Sequence, residues 1–343
     1  MSLRAFVPGA VLAVSLLMSA SVSAGEVKKI AILVPEQGTD YGWNQQGVDA
    51  ARAVAEKYGL EFLPAEGLGY GDVRPTLREL AAEGAGLMIA HASGYNTAAP
   101  EIAEETGVPV AIVDSPDMLK AGLIADYTLS GHDGAYLAGI LAAKMTRTGT
   151  VGIVVSGEPP SWNSQSAGFA LGVKAENSGT KIVYAVIGPA AYGDAAGGRR
   201  VTESVISAGA DIIFGQGNGS SFGMIQAVET TKATDGGKAW FIDVIGDKSE
   251  LDKGHLLSSV LWNMVPVYSA MVEDLNAGTF GTKRYQIGLA DNSVELLKTK
   301  HIPADVWSDL MKVRDQIIGG GVMVEEVYDA QAVRALMSSV EAE

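Results

Sequence analysis

The sequence contains no cysteine. Disulfides, thiolate nucleophiles and cysteine-held metals are therefore excluded. Histidine is scarce. His91, His132, His255 and His301 are scattered without i, i+4 spacing, so no histidine metal cluster is visible. Positive charge is in short supply, with 25 Lys and Arg against 40 Asp and Glu. The net charge of −15 disfavours nucleic acid or an anionic membrane as a partner. Also absent are a P-loop, the Rossmann glycine fingerprint and a pair of catalytic carboxylates. Beyond the N-terminus, no stretch is apolar for long enough to span a bilayer.

What is present begins with an export signal. Arg4 precedes an apolar run from Phe6 to Met18, and Val22-Ser23-Ala24 fits the small-x-small cleavage rule. Residues 1–24 are read as a secretory signal peptide, because the run falls short of the roughly 20 residues of a spanning helix. No cysteine sits at the cleavage site to carry a lipid, so the expectation is a free protein of a bacterial periplasm. Residues 25–343 exceed the usual size of one core and suggest two lobes.

Short apolar runs alternate with amphipathic ones. KIAILV (29–34), EFLP (61–64), GLMIA (86–90) and PVAIVD (109–114) read as buried strands. VDAARAVAEKYG (48–59) reads as a helix, with Val48, Ala51, Val54, Ala55 and Tyr58 on one face and Gly59 as its stop. The pattern restarts at TVGIVVS (150–156) and continues through KIVYAVIG (181–188), ADIIFG (210–215) and AWFIDVIG (239–246). The first strand of each half leads into a similar loop, Gly42-Trp43-Asn44 in one and Ser161-Trp162-Asn163 in the other. Two similarly wound α/β lobes with parallel sheets follow, with a boundary near Tyr127–Ser130.

Ligands of such sheets bind beyond the carboxyl ends of the strands. The loops there are Glu36–Asn44, SGYN (93–96, with Tyr95), DSPD (114–117), EPPSWN (158–163) and GQGNGSSFG (215–223). Trp43 and Asn44 fit a stacking plate beside a hydrogen-bonding amide. They equally fit a tryptophan packed under the loop and an asparagine capping the next helix. Asp114 is either a ligand acceptor or a turn residue. Trp262 is either interlobe core or a cleft-facing aromatic, and Phe222 has the same two readings. Gly219–Gly223 matches G-x-S-x-G, but Ser221 comes too long after the strand to form a nucleophile elbow.

Several stretches together resemble the basic membrane protein (BMP) family of ABC-transporter substrate-binding proteins, whose members often bind purine bases or nucleosides. They are Asp40-Tyr41-Gly42-Trp43-Asn44, GHDGAYLAGILAAKM (131–145) and ADIIFGQGNGSSFG (210–223). The resemblance implies a type I periplasmic binding protein fold: two Rossmann-like lobes joined by a three-crossover hinge. It implies a first lobe of 25–127 with about 260–285, and a second of 128–259 with about 286–343. By position, Trp43 looks like the stacking aromatic and Asn44 its polar neighbour. Asp114 looks like the acid after the fourth strand. Gly217, Asn218 and Phe222 look like the second-lobe wall, and Glu36 stands near a family acid. Two positions depart from the pattern. Trp262 stands where many members carry Lys, and Ile245-Gly246-Asp247 keeps only the second acid of an Asp-x-Asp pair.

The expectation is therefore a periplasmic solute-binding protein that delivers a small planar polar ligand to an ABC permease, without catalysis or cofactor. A purine base or nucleoside is the leading ligand, held by Glu36, Trp43, Asn44, Tyr95, Asp114, Trp162, Gly217, Asn218, Phe222, Asp247 and Trp262. The rivals are a sugar or other small solute in the same fold, a sensory subunit feeding a receptor, and a serine hydrolase built on Ser221.

Overall fold

Twelve strands divide between two sheets in the computed structural model, which describes residues 27–129 and 131–338. The first sheet takes β1 (Lys29–Leu33), β2 (Glu61–Ala65), β3 (Leu87–Ala90), β4 (Val110–Val113) and β5 (Ile124–Leu129). The second takes β6 (Thr150–Val155), β7 (Lys181–Val186), β8 (Ile212–Gln216), β9 (Trp240–Ile245) and β10 (Leu256–Trp262). A late strand β11 (Tyr285–Ile287) then joins the first sheet, and β12 (Val294–Leu296) joins the second. The orders are β11-β5-β4-β3-β1-β2 and β12-β10-β9-β8-β6-β7, so the same winding occurs twice. All the ladders are parallel except β10 with β12.

Parallel sheets need helical crossovers, and these cover both faces. In the first half they are α1 (Trp43–Tyr58), α2 (Arg74–Ala82) and α3 (Ala98–Thr106). Next come α4 (His132–Met145), α5 (Pro160–Glu176), α6 (Ala195–Ser207) and α7 (Ser220–Thr230). The C-terminal part adds α8 (Val265–Ala277), α9 (Ala304–Ile318) and α10 (Ala330–Ser338). Burial on both faces explains why the strands read as continuous apolar runs. β1 sends Ile30 and Ile32 into one core and Ala31 and Leu33 into another. No helix among the described residues is long and apolar enough to cross a membrane. The expected signal peptide, residues 1–24, lies outside the described residues.

The chain passes between the sheets three times: from Leu129 to Thr150, from Trp262 to Tyr285 and from Ile287 to Val294. The first passage contains α4, which packs on α5. That contact explains the small residues of GHDGAYLAGILAAKM. A Cβ at Gly139 would stand 2.0 Å from the Phe169 carbonyl oxygen, and one at Gly172 2.0 Å from that of Tyr136. Only bare backbones allow the two helices to lie this close.

Candidate ligand-binding site

The turn after β1 is organised by one carboxylate. Asp40 Oδ1 accepts from the backbone N–H of Gly42 and of Gln45, each at 3.0 Å. Its Oδ2 accepts from the Asn44 backbone N–H at 3.1 Å and from Asn44 Nδ2 at 2.7 Å. The three backbone N–H groups are orphan donors of a helix start, and an anion there is favoured by the helix dipole. The cap draws the start of α1 back to Trp43, five residues before the amphipathic run at Val48.

Trp43 is then clamped from behind. Its ring lies flat on the His91 imidazole, with centroids 3.6 Å apart and planes 8° apart. Its Nε1 donates to the His91 carbonyl at 2.8 Å. His91 Nε2 lies 2.9 Å from the Trp43 carbonyl, which can only accept, so Nε2 carries the proton. Burial pushes the His91 pKa down to about 3, so the ring is neutral and Nδ1 is an acceptor. The hydroxyls of Tyr127 and Tyr268 meet that atom at 2.7 and 2.8 Å.

The opposite side is built from the second sheet. Trp162 lies in the first turn of α5 and meets Tyr192 edge to face at 5.3 Å. Trp262, at the end of β10, is 1% exposed and meets Trp43 edge to face at 6.1 Å. Between the walls is a cavity of about 340 Å³. Trp43, Tyr70, Trp162, Tyr192 and Trp262 line it, and every lining residue lies at or beyond the carboxyl end of a strand. Among the described residues, no Lys, Arg or His lines this cavity, and Asp114 is its one carboxylate.

Asp114 is partly buried there. Burial raises its pKa to about 7; the Leu129 backbone N–H on Oδ1 at 3.2 Å pulls it down, and Asp126 nearby raises it. The group therefore both accepts and donates near neutral pH. Three lining residues, Asp114, Ala190 and Ile245, have positive φ at 53°, 55° and 72°. Such non-glycine conformations cost about 1–3 kcal/mol each, most for a β-branched residue such as Ile245. Strain of this kind gathers where the fold over-determines a site.

Trp43, Asp114, Trp162, Asn218 and Trp262, expected from the sequence, all line this cavity. The other six expected residues, Asn44, Tyr95, Gly217, Phe222, Glu36 and Asp247, do not line it. Asn44 is fully buried, with Nδ2 on Asp40 and Oδ1 accepting from the Glu36 N–H at 3.3 Å, so its amide is used up by the loop. Tyr95 is buried in apolar core and donates its hydroxyl to the Gly69 carbonyl at 2.7 Å. Gly217 lies behind the wall, where a Cβ would strike Ser220 Oγ. Phe222 is half-buried on α7, away from the cavity. Glu36 stands at the rim near Gly193. Asp247 is exposed and borders a separate cavity with Tyr41, Gln45 and Asp49. Ser221 is buried in the first turn of α7 and donates to the Gly217 carbonyl, with Asp243 as its other neighbour.

Tyr70 and Tyr192 were not foreseen, although the sequence carried a signal for them. Tyr70-Gly71-Asp72 follows β2, and Tyr192-Gly193-Asp194 follows β7, the equivalent strand of the second half. In each, the Asp accepts a backbone N–H at or near the next helix start, from Arg74 or Gly197. The two tyrosine rings meet 6.1 Å apart across the mouth.

Comparison with known proteins agrees with this fold. The family model for PnrA-like ABC transporter substrate-binding proteins (Bmp) matches residues 27–327. Basic membrane protein A1 of Borrelia garinii subsp. bavariensis is 24% identical over 87% of this chain and 88% of its own length. The Bacillus subtilis transcriptional activator protein med is 23% identical over 79% of this chain and 82% of its own. A crystal structure of ABC transporter system solute-binding proteins from Aeropyrum pernix K1 superposes with a TM-score of 0.77 at 18% identity, covering 92% of this chain and 98% of that one.

Proposed function

The chain belongs to the Bmp family of PnrA-like ABC transporter substrate-binding proteins, and on that premise we propose that it carries a flat, uncharged heterocycle, a purine base or nucleoside, to an ABC permease. The supporting observation is the cavity, lined among the described residues by three tryptophans and two tyrosines from both halves, one acid and no cation. Trp43 offers one face to the ligand while His91 holds the other. Asp114 pairs with a polar edge of the ring. An anionic ligand would lie in a dry site beside a carboxyl with no compensating charge, which is unfavourable. The two lobes close over the ligand, the closed form is what the permease recognises, and the protein works in the periplasm after loss of residues 1–24. It performs no chemistry.

A sensory role in place of import is the second reading. The Bacillus subtilis relative, named as a transcriptional activator, favours it. A sugar ligand fits less well, because sugar sites usually combine several carboxylates with an arginine, and among the described residues this cavity has one acid and no arginine.

Thermal melting of the purified protein against purine bases, nucleosides, other heterocycles and sugars tests the ligand. A ligand at a hundredfold its Kd should stabilise the fold by about 2.7 kcal/mol. The expected result is a shift with purines that is lost in Trp43→Ala, since stacking on an aromatic contributes about 1–3 kcal/mol per base. A shift with sugars alone, or a purine shift retained in Trp43→Ala, overturns the reading.

A further inference from the structure

Lys248 follows β9 of the second sheet, and its side chain is 0% exposed. Its Nζ pairs with Asp243, which is equally buried, and Asp243 in turn is approached by Ser221 Oγ at 3.3 Å. The same ammonium also reaches across to the first half, donating to the Tyr41 carbonyl at 3.0 Å. Tyr41 sits at φ 49°, two residues before Trp43, in the turn that Asp40 organises. Gly246 packs against the same carbonyl so closely that a Cβ would stand 1.9 Å from it. Asn218 of the second half borders Gly42 of that turn.

These contacts join one lobe to the other through protein groups alone, and none of the residues making the Lys248 bond lines the aromatic cavity. We propose that Lys248 is a closure latch: its ammonium, held by Asp243 on its own lobe, binds the Tyr41 carbonyl only when the lobes meet, and so populates the closed form without ligand while seating the loop that carries Trp43. A buried ion pair contributes little by itself, because desolvation offsets its attraction. The bond to Tyr41 differs, since a charge-assisted hydrogen bond that exists in one state only biases that state. The pair is dry, so salt should hardly weaken the latch.

The inference does not depend on which ligand the cavity takes. The cysteine-free chain permits a direct test. Spin labels on cysteines introduced at Asp72 and Lys253 report the interlobe distance in the ligand-free protein. Wild type should show a short, closed component. The charge-balanced double variant Asp243→Asn/Lys248→Met should lower the closed-to-open ratio about tenfold or more. Gly246→Ala, which leaves the ion pair intact and blocks the same seam, should also lower it. Thermal melts establish that both variants are folded. A wild type with no closed component overturns the proposal, and so does a folded double variant with the wild-type distribution.

Discussion

The two walls of the cavity differ in how their polar atoms are satisfied. Behind Trp43 every polar atom of the His91 ring has a partner: Nε2–H on the Trp43 carbonyl, and Nδ1 facing the hydroxyls of Tyr127 and Tyr268. Around Trp162 and Trp262 the polar atoms are less completely paired. Ser156 Oγ, Gln165 Oε1, Asn218 Oδ1, Ser220 Oγ and Trp262 Nε1 are buried without a hydrogen-bond partner among the described residues. A fully paired buried network is costly to break, because each group left without a partner keeps its desolvation penalty; where a polar atom has no protein partner there is less to lose. The first wall therefore holds Trp43 against a paired His91, while the second carries polar atoms without a protein partner.

The largest expected effect breaks that comparison at both ends. His91→Leu removes the acceptor that both tyrosine hydroxyls face and the ring donor on the Trp43 carbonyl, and with them the imidazole that Trp43 lies on. With about 1 kcal/mol for each buried hydrogen bond of the ring and a further contribution from the lost stacking, it should destabilise the protein by about 2–3 kcal/mol. Gln165→Leu replaces a side chain whose Oε1 is already unpaired and whose Nε2 reaches Gln216 only at 3.4 Å. It should change stability by less than about 1 kcal/mol. Urea unfolding of both variants decides. Equal losses would mean that the walls do not differ.

pH sharpens the same contrast. His91 has a folded pKa of about 3 against an ordinary 6.5, so the unfolded chain binds the extra proton. Its contribution is full above 6.5 and is lost as pH falls through the window down to about 3. From about pH 7 to about pH 5 the loss is on the order of 2 kcal/mol. Asp114 acts in the opposite direction. Its folded pKa is raised from 3.8 to about 7, so the native state holds the proton and stability falls as pH rises between those values. The two slopes oppose each other over their shared window. Removing one exposes the other: Asp114→Asn should steepen the rise of stability with pH, and His91→Leu should flatten or reverse it. Unfolding free energies from about pH 4 to about pH 7 for wild type and both variants check this. Identical profiles would mean that neither group carries its shift.

Much of this fold is legible in the sequence, because strands buried on both faces must be continuously apolar. KIAILV and AWFIDVIG announce themselves, and the restart at TVGIVVS gives the second lobe. Trp43 and Trp162 are legible too, as equivalent positions after the first strand of each half. What the sequence hides is where a polar side chain points. Asn44 beside Trp43 looks like a ligand contact, yet a carboxylate four residues earlier holds its amide. His91 carries no motif, since its role comes from Trp43, Tyr127 and Tyr268, which are distant in sequence and converge only in the fold. Lys248 and Tyr41 are likewise joined only by the meeting of the lobes.

The smallest effect concerns the mouth, where the two lobes contribute like for like. Tyr70 is 53% exposed, so Tyr70→Ala should alter stability by no more than about 0.5 kcal/mol. Tyr192 packs on Trp162 and should cost somewhat more. The rings come from opposite halves and meet across the mouth, so on the proposed closure their loss should appear in release of the ligand. Stopped-flow dissociation of whichever purine shifts the melt should speed up by about tenfold or less in either single variant, since related complexes differ mostly in off-rate. The double variant should add little to either single one, with a coupling of about 0.5–1.5 kcal/mol for an aromatic pair. Strict additivity would mean that the tyrosines act as separate patches of their own walls. A coupling that shrinks in Gly246→Ala, whose seam closes less readily, would tie the mouth to the latch.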